Sequence, residues 1–354
     1  MMKGLILAGG RGTRLRPLTY TRAKQLIPIA NKPVLFYALE TLAEAGVREI
    51  GMIVGDTRTE IEEYVGDGSR WGVEVTYIPQ DAPLGLAHAV LTAEPFLGES
   101  PFVVFLGDNL IRGGIREFIG CYERERPNAL ILLTPVHNPE EFGVAELDGE
   151  HVVRLVEKPA HPPSNLALVG VYIFDSSIFG AARTIRPSAR GELEITDAIG
   201  ALIDSGLSVR MQRVQGWWKD TGKLEDLLEA NHMLLEDLPR VIEGEVESSE
   251  IIGRVRIEAG ARVRESTIRG PAIIGANTLI ENAYVGPFTS IGPNAAIVGS
   301  EVEYSIVLEG SSLTDLGSRL ENSLIGREVA VYRSRQRPRS INLMIGDHGR
   351  VGLL

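Results

Sequence analysis

A glycine-rich turn near the amino terminus most constrains what this 354-residue chain can fold into. Strand-forming, mostly apolar residues run from Gly4 to Ala8, and Gly9, Gly10 and Gly12 follow directly. Such a strand and turn present bare backbone N–H groups to a phosphate in an open α/β sheet. Glycine is needed there because a Cβ would hold the anion away and forbid positive φ. We therefore predict an anion-binding turn and not an ordinary strand–turn–helix link.

Two familiar phosphate-binding loops do not fit this turn. No window of the chain carries the Gly-x-x-x-x-Gly-Lys-Ser/Thr pattern of a P-loop. The dinucleotide fingerprint Gly-x-Gly-x-x-Gly fails because Leu15 stands where its third glycine belongs. Arg14 and, ten residues on, Lys24 add cations beside the turn. These cations favour a chain that transfers charged phosphate over one that only holds a cofactor.

Six separated motifs resemble the signature of the sugar-1-phosphate nucleotidylyltransferase family. They are Leu7-Ala8-Gly9-Gly10-x-Gly12-Thr13-Arg14-Leu15 with Lys24-x-x-x-Pro28, Gln80 with Gly85-Leu86-Ala87, Gly107-Asp108-Asn109, Glu157-Lys158-Pro159, Arg190-Gly191-Glu192-Leu193-Glu194-Ile195-Thr196-Asp197, and Trp218-x-Asp220-Thr221-Gly222. The match is similar to the glucose-1-phosphate thymidylyltransferase branch in its longer form, which has a C-terminal extension. It covers roughly the first two thirds of the chain.

The resemblance implies Mg²⁺-dependent nucleotidyl transfer from dTTP to glucose 1-phosphate, which gives dTDP-glucose and pyrophosphate. It implies catalytic roles for Arg14, Lys24, Asp108 and Asp220, and the two aspartates would also hold the metal. Arg14 would hold the β- and γ-phosphates, and Lys24 would bridge the α-phosphate region. The nucleotide would contact Leu7, Ala8, Gly9, Gly10, Gly12, Thr13, Gln80 and Gly85. The sugar phosphate would contact Asn109, Gly143, Glu157, Lys158, Tyr172 and Arg190, with the cations Lys158 and Arg190 on its phosphate.

The residues themselves support parts of this assignment. Asp108 and Asp220 follow strand-like runs, and Mg²⁺ bound to nucleotide phosphates takes only one or two protein carboxylates. Gln80 offers both a donor and an acceptor, which suits the imide edge of thymine or uracil. The alternatives are a helix N-cap for Asp108, a turn-forming residue for Asp220 and a surface position for Gln80.

One position departs from the thymidylyltransferase pattern. A tyrosine often precedes the glycine that corresponds to Gly143, and here the residue is Phe142. The missing hydroxyl removes one polar contact to the ligand and predicts a looser substrate choice. Tyr172 is predicted to line the same pocket, and its alternative is a core aromatic.

Alternating strand and helix patterns in the first part predict an α/β fold, a doubly wound, Rossmann-like mixed sheet with ligands at the carboxyl ends of its strands. Leu238-Pro239-Arg240 breaks this pattern. We therefore predict a nucleotidyltransferase domain at 1–239 and a hexapeptide-like domain at 240–354.

Aliphatic residues recur every six positions in the second part. The series is Ile251, Ile257 and Val263, then Ile274 and Ile280, then Val285, Ile291 and Ile297, with a one-residue slip between the last two runs. Ile325-Gly326 and Ile345-Gly346 hint at its return. This spacing predicts a parallel β-helix, with a β-sandwich as the alternative. The resemblance implies that the helix is left-handed. Its exposed end coils favour pairing with another chain and a homo-oligomer. The arginine-rich tail from Arg333 to Arg339 is interpreted as a solvated edge or a contact between subunits.

Composition excludes several classes of protein. A net charge of −11 argues against a nucleic-acid-binding surface. The single cysteine, Cys121, cannot form an internal disulfide, which suits a reducing cytoplasm. The sequence has no convincing signal peptide and no apolar run long enough to cross a membrane, so no membrane partner is expected.

Other functions remain open at this stage. One is UTP-dependent or broader sugar-1-phosphate nucleotidyl transfer, and another is a bifunctional enzyme with acetyltransferase activity in the β-helix. The acetyltransferase would need a general base, usually histidine, yet residues 240–347 contain none and His348 lies in the tail. A catalytically inactive scaffold predicts broken motifs, whereas Arg14, Lys24, Asp108 and Asp220 are all present. No histidine is assigned a role, and His88 and His232 are interpreted as packing or surface residues.

Overall fold

The computed structural model describes residues 1–334 of the chain. The chain divides into two compact units, Met1–Asp237 and Leu238–Leu354. Ile345-Gly346, His348 and the tail arginines after Arg333 lie outside the described residues. No helix in residues 1–334 is both long and apolar enough to span a membrane.

The first unit is built on a nine-stranded sheet. In chain order its strands are β1 (Lys3–Leu7), β2 (Glu49–Val54), β3 (Glu74–Pro79), β4 (Phe102–Leu106), β6 (Ala129–Pro135), β7 (Gly143–Asp148), β8 (His151–Glu157), β9 (Leu166–Phe174) and β10 (Val209–Arg213). The short strand β5 (Asn109–Ile111) follows β4 in the chain but lies outside this sheet. The order is β8-β7-β9-β4-β1-β2-β3, and β6 pairs with both β9 and β10. Strands β4, β1, β2 and β3 are parallel, whereas β9 runs antiparallel to β4, β6 and β7. The predicted mixed α/β sheet is confirmed.

The first unit has eight α-helices, and helices from among them cover both faces of this sheet. They are α1 (Val34–Glu44), α2 (Arg58–Val65), α3 (Leu86–Thr92), α4 (Glu94–Leu97), α5 (Arg116–Glu125), α6 (Ser177–Thr184), α7 (Ile195–Asp204) and α8 (Leu224–Leu235). Leu5 and Leu7 of β1 point into a core shared with α3, α6 and α7. Ile6, between them, points into a second core shared with α1, α2 and α5. This alternation is the period of two that a strand buried on both faces requires.

Two very short strands form a separate antiparallel ribbon that the sequence patterns do not reveal. They are β5, which follows β4 after Gly107 and Asp108, and β11 (Trp218–Asp220). The ribbon pairs Asp220 with Asn109, so two distant segments of the chain meet at the carboxyl end of β4. Another small ribbon joins Pro28–Ile29 to Lys32–Pro33.

The second unit is a parallel β-helix made of three stacked sheets. One sheet holds Val241–Ile242, Val255–Ile257, Ala272–Ile274, Thr289–Ile291, Ile306–Val307 and Leu324–Ile325. The next holds Glu245–Glu247, Arg262–Arg264, Leu279–Glu281, Ala296–Val298, Ser312–Thr314 and Ala330–Tyr332, and the third holds Glu250–Ile252, Thr267–Arg269, Tyr284–Val285, Glu301–Glu303 and Leu320–Glu321. Each strand pairs in parallel with its equivalent in the next coil. These stacks confirm the β-helix, are consistent with left-handed winding, and do not form a β-sandwich.

The predicted aliphatic residues form the interior of the β-helix. Ile257, Val263, Ile274, Ile280 and Val285 are fully buried in one continuous core. The one-residue slip has a structural origin, because in the two coils from Val263 to Ile297 one corner is a residue shorter than the other two. Val263 and the next inward residue, Ile268, are therefore five positions apart, and Ile280 and Val285 repeat that spacing in the following coil.

Candidate active site

The glycine turn lies at the carboxyl end of β1 and borders a cavity of about 220 Å³. Lys24 packs its aliphatic stem across the turn. A Cβ added to Gly12, which has a φ of 62°, would lie 2.7 Å from the Lys24 Cβ, and one on Gly10 would lie 3.0 Å from the Lys24 Cε. Glycine at both positions therefore allows the lysine to reach over the turn.

Most residues predicted to bind the nucleotide line this smaller cavity, namely Leu7, Gly9, Gly10, Gln80 and Gly85. Three do not. Ala8 is buried in the core, and its backbone N–H donates to the Ile53 carbonyl at 2.9 Å, so that N–H is not free for a phosphate. Gly12 lies beneath Lys24, and Thr13 is exposed at the start of a 3₁₀ turn.

Lys24 and Asp108 form an ion pair at the wall of the smaller cavity. Their side chains are only 18% and 13% exposed. Burial pushes the pKa of the Asp108 carboxyl upward, but the charge and hydrogen bond of Lys24 outweigh burial and hold it below its ordinary value. Asp108 is therefore ionised at neutral pH.

Asp220 lies beside Asp108 because the β5–β11 ribbon brings their segments together. Thr221 secures the junction, since its backbone N–H and its hydroxyl both donate to the Asp108 carbonyl, at 3.1 and 2.8 Å. Burial and the negative charge of Asp108 raise the pKa of Asp220 to about 7. Two carboxylates that oppose each other's ionisation are arranged to receive a cation.

The donor set of this pair fits Mg²⁺. This ion binds through one or two carboxylates and completes its shell with waters and phosphate oxygens. Residues 1–334 contain no cluster of three or more His, Cys, Asp or Glu side chains placed to hold a metal. Asp108 and Asp220 offer the two carboxylates that a partly hydrated Mg²⁺ can take.

A larger cavity of about 620 Å³ adjoins the smaller one, and Asp108 lines both. The predicted residues that line it are Arg14, Asp108, Asn109, Gly143, Glu157, Lys158, Tyr172 and Asp220. Leu86 and Leu106 also border both cavities. The two cavities therefore form one continuous cleft, which narrows at Asp108.

Two cations of the larger cavity are available to an anion. Within the described residues, neither the Arg14 guanidinium nor the Lys158 ammonium makes a hydrogen bond or a salt bridge. Arg14 lies next to Asp220, since a Cβ on Gly222 would be 3.3 Å from Arg14 Nη2 and 3.0 Å from Asp220 Oδ2. Lys158 has a φ of 40°, a left-handed conformation that side chains rarely adopt, and its N–H donates to the Phe142 carbonyl at 3.0 Å. Such backbone strain is often found at functional sites.

Glu157 is the acceptor on the far wall of the larger cavity. Burial and the nearby Glu194 raise its pKa, and the Thr196 hydroxyl donates to it at 3.3 Å. Gly143 lies directly against this pair, because a Cβ there would be 2.6 Å from the Thr196 methyl and 3.1 Å from Glu157 Oε2. The glycine therefore leaves this wall open.

An aromatic pair forms the neighbouring wall. Phe142 meets Trp218 edge to face with ring centroids 5.4 Å apart, and Trp218 Nε1 donates to Asn109 Oδ1 at 2.6 Å. Asn109 is thereby fixed with its side-chain nitrogen directed to Asp108, 3.1 Å away. The tyrosine hydroxyl that the thymidylyltransferase branch often carries is replaced here by a purely apolar ring contact.

The chain is similar to known proteins over the region that forms this cleft. The profile of the Nucleotidyl transferase family matches residues 3–237. The chain belongs to the nucleotidyl transferase family. This span contains all the residues that line the two cavities.

The nucleotidyl transferase is also similar to individual proteins over much of its length. It is 54% identical over 353 residues to a glucose-1-phosphate thymidylyltransferase of Streptomyces antibioticus, and the match covers 99% of each chain. A Bacillus anthracis structure, assigned as the same enzyme and crystallised with sucrose, is 36% identical with a TM-score of 0.64 over 68% of this chain and 98% of that one. A UDP-glucose pyrophosphorylase complexed with UDP-glucose is 27% identical with a TM-score of 0.61 over 67% and 99%.

Arg190 is the predicted sugar-phosphate residue of this nucleotidyl transferase that lines neither cavity. Its guanidinium contacts Glu157 at 3.2 Å, Glu192 at 3.7 Å and Glu194 at 2.9 Å. It therefore balances the repulsion between Glu157 and Glu194. Contact of Arg190 with a sugar phosphate stays a prediction that requires the side chain to leave these carboxylates.

Gln25 is a candidate site residue that the sequence patterns missed. It is 1% exposed and lines the smaller cavity of the nucleotidyl transferase next to Lys24. Among the described residues, its amide nitrogen and oxygen both lack a hydrogen-bond partner. An unpaired buried amide is unfavourable, so its place beside a cavity points to a ligand that completes it. The available signal was a single polar residue at the head of the apolar run Leu26-Ile27.

Proposed function

We propose that this nucleotidyl transferase joins dTTP and glucose 1-phosphate into dTDP-glucose and releases pyrophosphate. The carrying observation is the continuous cleft, in which the glycine turn and the Glu157–Lys158 wall meet at Asp108. The full-length similarity to the Streptomyces antibioticus thymidylyltransferase supports the same substrates.

In this proposal an oxygen of the sugar phosphate attacks the α-phosphorus of the nucleotide. The new P–O bond forms as the bond from the α-phosphorus to the β-phosphate bridge breaks, and pyrophosphate carries away the electron pair. Such transfers depend on positioning and charge neutralisation and need no protein nucleophile. Lys158 holds the attacking phosphate, and Arg14 neutralises the leaving β- and γ-phosphates.

In the proposed reaction Lys24 and the pair Asp108 and Asp220 act where the two cavities meet. Lys24 crosses the glycine turn and pairs with Asp108, which supports a role for its ammonium in neutralising the α-phosphate. Asp108 and Asp220 would hold Mg²⁺, which when bound neutralises phosphate charge and orients the triphosphate. The glycine turn supplies the remaining backbone contacts to phosphate.

UTP is the second candidate nucleotide. Thymine and uracil share the imide edge that Gln80 can pair with, and the structural likeness to a UDP-glucose pyrophosphorylase favours uridine as an alternative. Acetyl transfer in the β-helix is disfavoured, since residues 240–347 contain no histidine to act as a general base.

A substrate matrix tests the proposal. Pyrophosphate release is measured for dTTP, UTP, dCTP and ATP, each with glucose, galactose and glucosamine 1-phosphates, with and without Mg²⁺. We expect Mg²⁺-dependent release that is fastest with dTTP and glucose 1-phosphate. A preference for UTP supports the alternative, and no release with any pair contradicts both.

Gln25 gives a separate prediction for nucleotide binding. Gln25→Leu should raise the KM for dTTP about five- to fiftyfold, because one hydrogen-bonding group of the nucleotide loses its partner. The variant should also melt at a higher temperature without ligand, because it removes a buried unpaired amide.

Gln212→Leu is the matched control, since Gln212 in β10 also carries a buried amide oxygen without a partner in residues 1–334 but lines neither cavity. It should change thermal stability only. An unchanged KM in Gln25→Leu, measured by initial rates of pyrophosphate release, would contradict the role of Gln25.

We also propose a cytoplasmic homo-oligomer that assembles through the β-helix. The first coil pairs on one side only and leaves Ile242 and Val246 43% and 38% exposed. Unpaired strand edges with apolar side chains are templates for another chain. Sedimentation of residues 1–237 should show fewer subunits than the full chain. The same subunit number in both would contradict assembly through the β-helix.

A further inference from the structure

His88 contacts the glutamine that borders the nucleotide cavity. It lies in the first turn of α3, and its Nδ1 is 2.8 Å from Gln80 Nε2. The other end of the Gln80 amide faces the glycine turn, since a Cβ on Gly9 would lie 3.4 Å from Gln80 Oε1. Gln80 itself lines the smaller cavity.

This contact fixes the polarity of the Gln80 amide. The amide nitrogen can only donate, so in this contact His88 Nδ1 is the acceptor of a hydrogen bond from Gln80 Nε2. The carbonyl oxygen of Gln80 is then the end turned toward the cavity. A glutamine without such a partner could present either end, because its oxygen and nitrogen are nearly the same size.

The backbone on both sides of the contact is held in place. Gln80 donates its N–H to the Val54 carbonyl at 2.8 Å. Between Gln80 and His88, Leu84 accepts from the Leu193 N–H at 2.8 Å, and a Cβ on Gly85 would lie 2.4 Å from the Leu193 carbonyl oxygen. Backbone contacts therefore anchor the loop that joins the two side chains at both of its ends.

We propose that His88 determines nucleobase specificity by holding Gln80 with its carbonyl toward the base. This inference rests on the proposed nucleotidyl transfer and names the chemical class of base that the cavity selects. Thymine and uracil carry an N3–H that donates to this carbonyl. Cytosine has an unprotonated N3 at the same place, which would face the carbonyl oxygen without a hydrogen bond. His88 is a positioning residue, since it acts through Gln80 and does not touch the base.

Two substitutions separate this role from simple packing. His88→Leu removes the acceptor and frees the Gln80 amide to turn over. His88→Asp supplies a carboxylate, which can only accept a hydrogen bond, so it keeps the Gln80 amide nitrogen directed to position 88 and the carbonyl directed to the cavity. A carboxylate is also favourable in the first turn of a helix. His232→Leu in α8 is the matched control, because His232 lines neither cavity.

The measurement is kcat/KM for dTTP divided by kcat/KM for dCTP, with glucose 1-phosphate as acceptor. We expect His88→Leu to lower this ratio at least about tenfold, while His88→Asp and His232→Leu keep it within about twofold of the unsubstituted chain. Melting curves confirm that each variant is folded, and dissociation constants for the two nucleotides give the same ratio without turnover.

This experiment distinguishes a failure of the inference about His88 from a failure of the proposed function. If the unsubstituted chain transfers no nucleotide at all, the proposed function fails. If it does transfer and His88→Leu leaves the ratio unchanged, His88 does not set specificity. The inference is equally overturned if His88→Asp lowers the ratio as far as His88→Leu does, because the loss would then follow from altered packing.

Discussion

Lys24→Ala should lower kcat by about two to three orders of magnitude, the effect of removing one preorganised charge from a transition state. Lys24 is the cation whose stem crosses the glycine turn and whose ammonium meets Asp108. Without it, the α-phosphate region loses its positive charge. Single-turnover release of pyrophosphate measures the effect.

Stability should respond much less than turnover. Loss of Lys24 lets Asp108 take up a proton, which limits the penalty for leaving a carboxylate unpaired. Lys32→Ala is the matched control, because Lys32 also pairs with a carboxylate, Glu40 at 2.5 Å, but lies outside both cavities. It should keep kcat within about twofold. Unchanged turnover in Lys24→Ala would refute the role of Lys24.

Asp220→Asn should abolish Mg²⁺-dependent turnover and yet stabilise the ligand-free chain above pH 7. The folded pKa of Asp220 is raised to about 7 by burial and by Asp108. Between the ordinary carboxyl pKa of about 4 and pH 7, the folded chain therefore binds more protons than the unfolded chain, so its stability falls as pH rises through this window. Asparagine carries no charge and escapes this loss.

Thermal melting at two pH values checks the sign. At pH 4 the variant and the unsubstituted chain should melt at similar temperatures, and at pH 8 without metal the variant should be more stable by about 2–4 kcal/mol. Asp197→Asn is a control, because burial also raises the pKa of Asp197 but this residue lines neither cavity. It should retain activity. A variant that is less stable at pH 8 would contradict the assignment of a repelling carboxylate pair.

The sequence predicts the two architectures because each rests on a repeated local pattern. Aliphatic residues such as Ile257 and Ile274 recur at a spacing typical of stacked coils, and both are fully buried in the core of the β-helix. The glycine turn is predicted for a similar reason, since several small residues cluster after one apolar strand. Three-residue strands such as β5 and β11 have no periodicity, so their pairing was invisible.

Side-chain partners could not be predicted, because they depend on which segments the fold brings together. Arg190 lies within a site motif, but its guanidinium pairs with three carboxylates and lines neither cavity. His88 was interpreted as a packing or surface residue, although its Nδ1 contacts Gln80. Ala8 belongs to the turn motif, yet the sheet uses its N–H. Motifs locate the cleft but do not assign the task of each residue within it.

The β5–β11 ribbon determines how much of the chain must be synthesised before Asp108 and Asp220 can come together. Asp108 is synthesised more than a hundred residues before Asp220, and only the pairing of their two strands unites them. A chain that ends before Trp218 holds Asp108 but lacks Asp220. If the two aspartates hold the metal as proposed, such an unfinished chain should transfer no nucleotide.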